Sequence, residues 1–539
     1  MRARPLALQV EMANGVTGYL SLVLHAHLPF VRHPEHDRFL EEDWLYEAIT
    51  ETYLPLVQIM DGWLRDGMDT RLTLTLTPTL CSMLLDPLLQ ERYVRHLEGL
   101  IELSEREIHR TYWDKSYQPL AWVYHHRFVS LRETYHSFGR NLVGAFRKFQ
   151  EAGKLEIITS AATHALLPLL TNHPSSIRAQ VLVARDHYRT CFDRDPTGIW
   201  LPECAYVDGV EKVLQEAGIR WFIIDTHGLL HARPRPRFGV FGPVFTRNGI
   251  AAFGRDLDSA RQVWSKHEGY PGDPRYRDFY RDIGFDLDYD YVKPYLPAGG
   301  VRSFTGIKYH AITGDAPEKK VYDRSAALEA AAEHAGHFLQ QRMEQVQKVS
   351  GIIQRVPHLL SPYDAELFGH WWYEGPEFLD YFVRKTHYDQ DVIKLTTPWD
   401  YLRGNPTQQV ATPSASSWGD EGYWKVWLNE KNEWIYPHLD MAQERMTQLA
   451  QKFPKASGIT LRALKQAGRE LLLAQASDWP FILRTGTSPD YAKRRVSEHI
   501  LRFLALHEQL TTTKVDERWL GEVEAADNIF PDVDYRYWA

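Results

Sequence analysis

The stretch "TGIWLPECAYVDGVEKVLQEAGIRWFIIDTHG", residues 197–228, decides the fold. Its opening run, Ile199-Trp200-Leu201, is short and apolar, as a parallel strand buried on both faces would be. Residues 208–218 follow with helical spacing, Asp208 standing as a candidate N-cap and Gly218 as a stop past the last turn. Residues 219–228 are apolar and β-prone again. Strand, short helix and strand in succession make a βαβ unit, the building block of a parallel sheet. Glu203 stands just past the first strand, where it is either one half of a core ion pair or a reacting group.

Similar runs recur at 18–29, 71–80, 155–164, 249–256 and 356–366, making seven candidate strands with the two above. The polar, chemistry-bearing residues gather just past their C-terminal ends. That arrangement predicts a closed or partly open β/α barrel with its active site at the C-terminal face of the strands. A doubly wound open sheet is the alternative. No glycine-rich phosphate loop follows any of the runs, so a nucleotide site has no support.

Two stretches read as insertions. Residues 95–150 are helical by pattern and rich in His, Tyr and Arg, whereas 257–318 have almost no periodicity and many Pro, Gly, Asp, Tyr and Arg. The aromatic content of the second argues for order. After a Pro/Ser/Thr/Gly-rich crossing at 404–423 the pattern turns helical to the end of the chain. The expected division is therefore a catalytic barrel over 1–414 and a helical domain over 415–539.

Bulk properties narrow the function. The 539 residues carry a formal net charge of −8, which argues against a nucleic-acid partner but not against a neutral polymer. Cys81, Cys191 and Cys204 form no CxxC pair or disulfide framework, so a reducing compartment is the simpler reading. The N-terminal "MRARPLALQVEMANGV" carries Glu11 and lacks a long apolar core, so no signal peptide is expected, and no apolar run is long enough to span a membrane. Together these predict a cytoplasmic protein. Its oligomeric state is open, with a monomer preferred. Aromatic residues make up 13% of the chain, enough for large cores or for sugar-stacking surfaces.

Two strand ends carry carboxylates in unusual company: Glu203, and Asp364 in "SPYDAELFGHWWYEG" (361–375). Glycoside cleavage needs two such groups across the scissile bond, one to attack the anomeric carbon and one to protonate the leaving oxygen. Each alone would suit a buried ion pair. Of His25 and His27 in "HAHLP" (25–29), only one is expected at the mouth of the sheet. With His164 and His227, also at strand ends, a zinc site of the polysaccharide-deacetylase kind stays open. Trp418, in an irregular stretch, is a candidate for glucan stacking, while Trp427 and Trp434, seven apart on an expected helix, suit core packing.

Taken in order, these motifs resemble glycoside hydrolase family 57, and within it the α-1,4-glucan branching enzymes. The five regions that carry the likeness are "HAHLP" (25–29), "GKLEIITSAATHALLPLL" (153–170), "WLPECAY" (200–206), "SPYDAELFGHWWYEGPEFL" (361–379) and "ELLLAQASDWPFI" (470–482). The resemblance implies an α/β fold, a distorted (β/α)7 barrel with a C-terminal all-helical domain that contributes to the cleft. It implies Glu203 as nucleophile and Asp364 as general acid/base. His27, His164, Trp418, Trp372, Asp478 and Trp479 would bind substrate. No metal or organic cofactor is expected; the partner would be an amylose- or glycogen-like α-glucan, serving as donor and acceptor. A retaining scheme predicts carboxyl groups about 5–5.5 Å apart. The family's branching enzymes also depend on a tyrosine in a mobile loop over the cleft, for which Tyr270, Tyr276 and Tyr280 in the 257–318 insertion are the candidates. The competing activities are amylase or 4-α-glucanotransferase within the family and, outside it, a metal-dependent deacetylase or a non-catalytic glucan binder.

Overall fold

The structure, a computed structural model, describes residues 16–265, 269–297, 299–314, 316 and 318–539. Most of the N-terminal stretch weighed above as a leader, Glu11 included, lies outside the described residues.

Seven parallel strands form the frame: β1 (Gly18–Ala26), β2 (Leu72–Leu76), β3 (Leu155–Ser160), β4 (Gly198–Trp200), β5 (Trp221–Ile224), β6 (Ala251–Gly254) and β7 (His358–Asp364). Each falls within one of the seven runs. In space they run β6-β5-β4-β3-β2-β1-β7. Short strands extend the two sides: Val244–Phe245 pairs antiparallel with β6, and Ile393–Leu395 pairs with the start of β1. The ladder leaves a seam between β6 and β7. Across it the Asp256 N–H donates to the Leu360 carbonyl (2.9 Å), and the Tyr363 hydroxyl donates to the Ser259 carbonyl (3.0 Å). The barrel is thus distorted: a few bonds past the end of β6 close it instead of a full strand pair.

The strands were legible because both faces are buried. All residues of β2, β4 and β5 lie in the interior, which removes the alternation a half-exposed strand would show. The helix after β4 spans Val210–Glu216, with Gly209 rather than Asp208 at its N-cap and Gly218 left-handed (φ 79°) past its end. Helices Pro87–Arg110, Gln118–Ser137 and Leu142–Glu151 fill the connection from β2 to β3.

The 257–318 segment is less of a lid than its composition suggested. It opens with a helix, Leu257–Trp264; residues around 270–276 bond to the long helix Arg324–Ile353, and Tyr291, Tyr295 and Tyr309 bond to Glu107 and Glu102 of the helix Pro87–Arg110. Tyr270 and Tyr276 are buried, their hydroxyls 2.7 Å from His337 Nδ1 and 2.8 Å from His334 Nδ1. Both therefore drop out as cleft-covering tips. Asp282 holds the turn by accepting from Gly284 N–H, Thr305 N–H, the Thr305 hydroxyl and Gly306 N–H. The final segment contains helices Ile435–Lys452, Gly458–Ala474, Asp478–Thr485, Pro489–Thr512 and Glu517–Ala526. Trp427 precedes them in a turn, not on the expected helix, and is buried.

Candidate active site

A cleft of about 1100 Å³ opens at the C-terminal ends of the strands. Its lining brings together His25, His27, His164, Glu203, Asp364, Glu366, Trp418 and Asp478. Register places some of these directly: His25 of β1 pairs with Asp364 of β7.

Glu203 stands in a tight turn after β4. Pro202 favours the extended conformation of Leu201 (φ −61°, ψ 126°). Glu203 itself (φ 61°) and Cys204 (φ 50°) are left-handed. Trp418 Nε1–H donates to Glu203 Oε2 (2.7 Å), and the Ser477 hydroxyl donates to Oε1 (3.4 Å). Burial pushes the Glu203 carboxyl up to about 7, against the pull of the Trp418 bond, with Asp478 adding to the rise and His27 and Ser477 opposing it.

Asp364 ends β7 without such support; among the described residues no donor reaches its carboxyl. Burial drives it well above the ordinary carboxylate range, and the neighbouring charges of Glu366 and Glu203 drive it further. Glu366 accepts from the Tyr53 hydroxyl and from the His27 N–H (3.2 Å), and burial lifts it to about 7. Glu203 and Asp364 thus differ in kind: one is held by donors, the other has none and lies beside two carboxyls whose effect Arg255 only partly opposes.

The histidines form a stack. His27 and His164 lie with ring centroids 3.9 Å apart, and His25 Nε2 is 3.0 Å from His164 Nε2. Positions two apart on a strand share a face, so both His25 and His27 reach the cleft, contrary to the expectation of one. Burial lowers His25 and His164 well below the ordinary imidazole range, and the nearby His27 adds to this. For His27 burial acts in the same direction, but the Asp478 carboxylate, 3.1 Å from Nε2, together with Glu366 and Glu203, outweighs it and raises His27. The tautomers follow from the Ser477 proton pointing to Glu203. Ser477 donates to Glu203, so its oxygen, 2.8 Å from His164 Nδ1, accepts from that nitrogen, and His25 Nε2–H then donates to His164 Nε2.

These rings lie face to face rather than converging on a common point. Among the described residues one group of three comes close enough to share a cation, Glu470, His499 and Asp527 in the C-terminal helices. Arg495 and Arg502 already neutralise Asp527 there. His227 binds Asp225 and the Gly422 carbonyl instead of joining the stack. The arrangement does not favour the zinc reading.

Two expected substrate contacts are displaced. Trp372 is 2% exposed and packs on Phe378 and Tyr276; its neighbour Trp371, 55% exposed, faces the cleft. Trp479 is fully buried, its Nε1–H donating to the Leu473 carbonyl, while Asp478 beside it reaches His27. Trp418 meets Glu203 through its N–H, a contact more intimate than stacking. Ser477 and Glu366 were given no role from the sequence, and His25 was weighed only as a zinc ligand, although each lies within two residues of an expected site residue.

A family model described as glycosyl hydrolase family 57 matches residues 21–414, and one described as 1,4-alpha-glucan branching enzyme, C-terminal, matches 438–538. The 1,4-alpha-glucan branching enzyme TK1436 of Thermococcus kodakarensis is 31% identical over 552 residues, covering 96% of this chain and 78% of that protein. Among solved structures, the alpha-amylase AmyC of Thermotoga maritima matches with a TM-score of 0.91 at 44% identity, over 97% of this chain and 99% of that one. The GH57-type branching enzyme of Pyrococcus horikoshii matches with a TM-score of 0.87 at 32% identity, over 97% of each chain.

Proposed function

The chain belongs to glycosyl hydrolase family 57, and from that premise we propose that it is a 1,4-α-glucan branching enzyme working by retaining double displacement. Glu203 attacks the anomeric carbon of an α-1,4 linkage. As the C1–O4 bond breaks, its electron pair stays on O4, which takes the Asp364 proton. The Asp364 carboxylate then removes the proton of an incoming 6-hydroxyl, whose oxygen attacks C1 and displaces Glu203. An α-1,6 branch results with net retention.

One observation carries the assignment of roles. Glu203 has N–H and O–H donors on both oxygens, which favour its ionised form, whereas Asp364 has none and lies beside two other carboxyls. The imidazolium form of His27, which its carboxylate neighbours favour, adds positive field near Glu203. Asp478 raises that imidazole, and His164, lowered well below the ordinary imidazole range, stacks on it and meets Ser477.

The same proposal places the enzyme in the cytoplasm, acting on an amylose- or glycogen-like glucan, with its oligomeric state open. Its three unpaired cysteines suit a reducing compartment, and no helix among the described residues is long and apolar enough to cross a membrane. The likeness to AmyC, named an alpha-amylase, favours hydrolysis as a second reading. Incubation with amylose, enzymatic debranching and chain counting separates the two, run with wild type and Glu203→Ala side by side. New α-1,6 linkages from wild type alone are the expected result. Short free sugars without branches would establish hydrolysis, and longer linear chains disproportionation.

A further inference from the structure

The cleft has two unlike walls. Glu203 and Trp418 belong to one. Asp364 belongs to the other, where the chain runs on through Glu366 and a sharp turn to Trp371. That turn is rigid. Gly369 is left-handed (φ 119°), and a Cβ on it would sit 1.8 Å from the Glu51 carbonyl oxygen. Trp371 N–H donates to the Glu366 carbonyl (3.1 Å), and Glu51 Oε2 lies 2.6 Å from His370 Nδ1.

Trp371 stacks on Phe279, with ring centroids 4.5 Å apart and planes 25° from parallel. The buried Lys308 ammonium lies 4.3 Å from the centroids of both Phe279 and Phe304 and donates to the Phe279 carbonyl (2.6 Å). Exposed Tyr280 and Phe285 line the same end of the cleft. An aromatic surface fixed by a buried cation and left open to solvent is a preformed stacking face. A pyranose ring, with its apolar C–H face, is the ligand class it fits.

We propose that Trp371, backed by Phe279, is the platform that holds the acceptor glucan, and so sets how often the glycosyl-enzyme transfers rather than hydrolyses. The inference rests on the branching reading above and adds the residue that selects the acceptor. The acid/base protonates the leaving oxygen and later deprotonates the incoming hydroxyl at the same place. Leaving chain and acceptor therefore both lie on the Asp364 side of the bond, along the wall that continues to Trp371. Nothing else in the scheme uses this surface.

The test compares wild type, Trp371→Ala and Trp371→Phe on amylose, counting transfer linkages against newly released reducing ends. A short maltooligoside with an aryl leaving group reports glycosyl-enzyme formation independently of any acceptor chain. Trp371→Ala is expected to cut the transfer-to-hydrolysis ratio about tenfold, with the aryl-maltoside rate within twofold of wild type and Trp371→Phe close to wild type. The half-exposed position makes folding of the variants checkable by an unchanged melting temperature. If Trp371→Ala is poorly soluble, the ratio in Trp371→Tyr, which keeps a ring, and Trp371→Leu, which does not, decides the same question. An unchanged ratio in a wild type that branches overturns this proposal alone. Equal losses of transfer and aryl-maltoside cleavage also overturn it. A wild type that makes no transfer product sinks the branching reading and this proposal with it.

Discussion

Glu203→Gln should abolish turnover and stabilise the protein, and the stabilisation should depend on pH. The side chain is 15% exposed and its carboxyl is raised from 4.5 to about 7, chiefly by burial. Between those two values the folded protein keeps a proton that the unfolded chain has released. Raising the pH across that window therefore costs stability, and above about 7 the whole cost is present. At about 1.4 kcal/mol per unit the shift is worth about 3 kcal/mol, which residual solvent at the carboxylate reduces to about 2. A glutamine keeps the shape. Its carbonyl accepts from Trp418 and its amide donates to the Ser477 oxygen, whose proton turns to His164 Nδ1 as the His164 and His25 tautomers switch, so no new unsatisfied group arises. An unfolding entropy of about 2.1 cal/mol/K per residue sums to about 1.1 kcal/mol/K over 539 residues, which makes the expected gain in melting temperature about 2 °C at pH 8. At pH 4.5 and below, where wild-type Glu203 is itself neutral, the two proteins should melt together. Differential scanning calorimetry at the two pH values is the measurement. A gain of the same size at both, or a loss at pH 8, would refute the claim that a strained, desolvated charge sits at this position.

Two further perturbations bear on the same site. Trp418→Phe keeps a ring but removes the N–H donor to Glu203, so the ascending limb of the pH–rate profile should move alkaline by about 1 unit, and an unmoved limb would show that this bond does not tune the carboxylate. Asp364→Asn should lower the rate on amylose by about 10²–10⁴ but leave formation of the covalent adduct from an aryl maltoside, whose leaving group needs no proton, far less affected; mass spectrometry of the trapped protein reads this, and equal losses on the two substrates would remove Asp364 from the acid/base role.

The barrel was legible because it is built from parallel strands buried on both faces, and "RLTLTLTPTL" or "IRWFIID" announces such a strand without help from its neighbours. Glu203 and Asp364 were legible because a carboxylate directly after such a run contradicts its surroundings. What stayed hidden depended on side-chain direction across elements. Trp371 and Trp372 are adjacent and identical in type, and only the turn fixed by Gly369 decides which faces the cleft and which the core. The pairing of Tyr270 and Tyr276 with histidines of the helix Arg324–Ile353 joins residues 58 and 67 positions apart, beyond the reach of local pattern. Aromatic content signalled order in that segment but not which rings the order would bury.

The strain at the cleft shows why segments beyond the barrel belong to the site. Left-handed Asp193, Gln354 and Thr513 each end a helix, where that conformation is common. His164, Glu203 and Cys204 end strand–turn connections and have no such excuse, at about 1 kcal/mol or more apiece. The offsetting contacts come from two later segments, and each acts twice. Trp418 donates its backbone N–H to the Glu203 carbonyl (3.0 Å) and its indole N–H to the Glu203 carboxylate. Ser477 donates its backbone N–H to the His164 carbonyl (3.1 Å), while its hydroxyl accepts from the His164 ring and donates to Glu203. The same residues thus clamp the strained backbone and orient the side chains it presents. A barrel without residues 418 and 477 would have neither the donors that favour the ionised form of Glu203 nor the bonds that hold the left-handed backbone at Glu203 and His164.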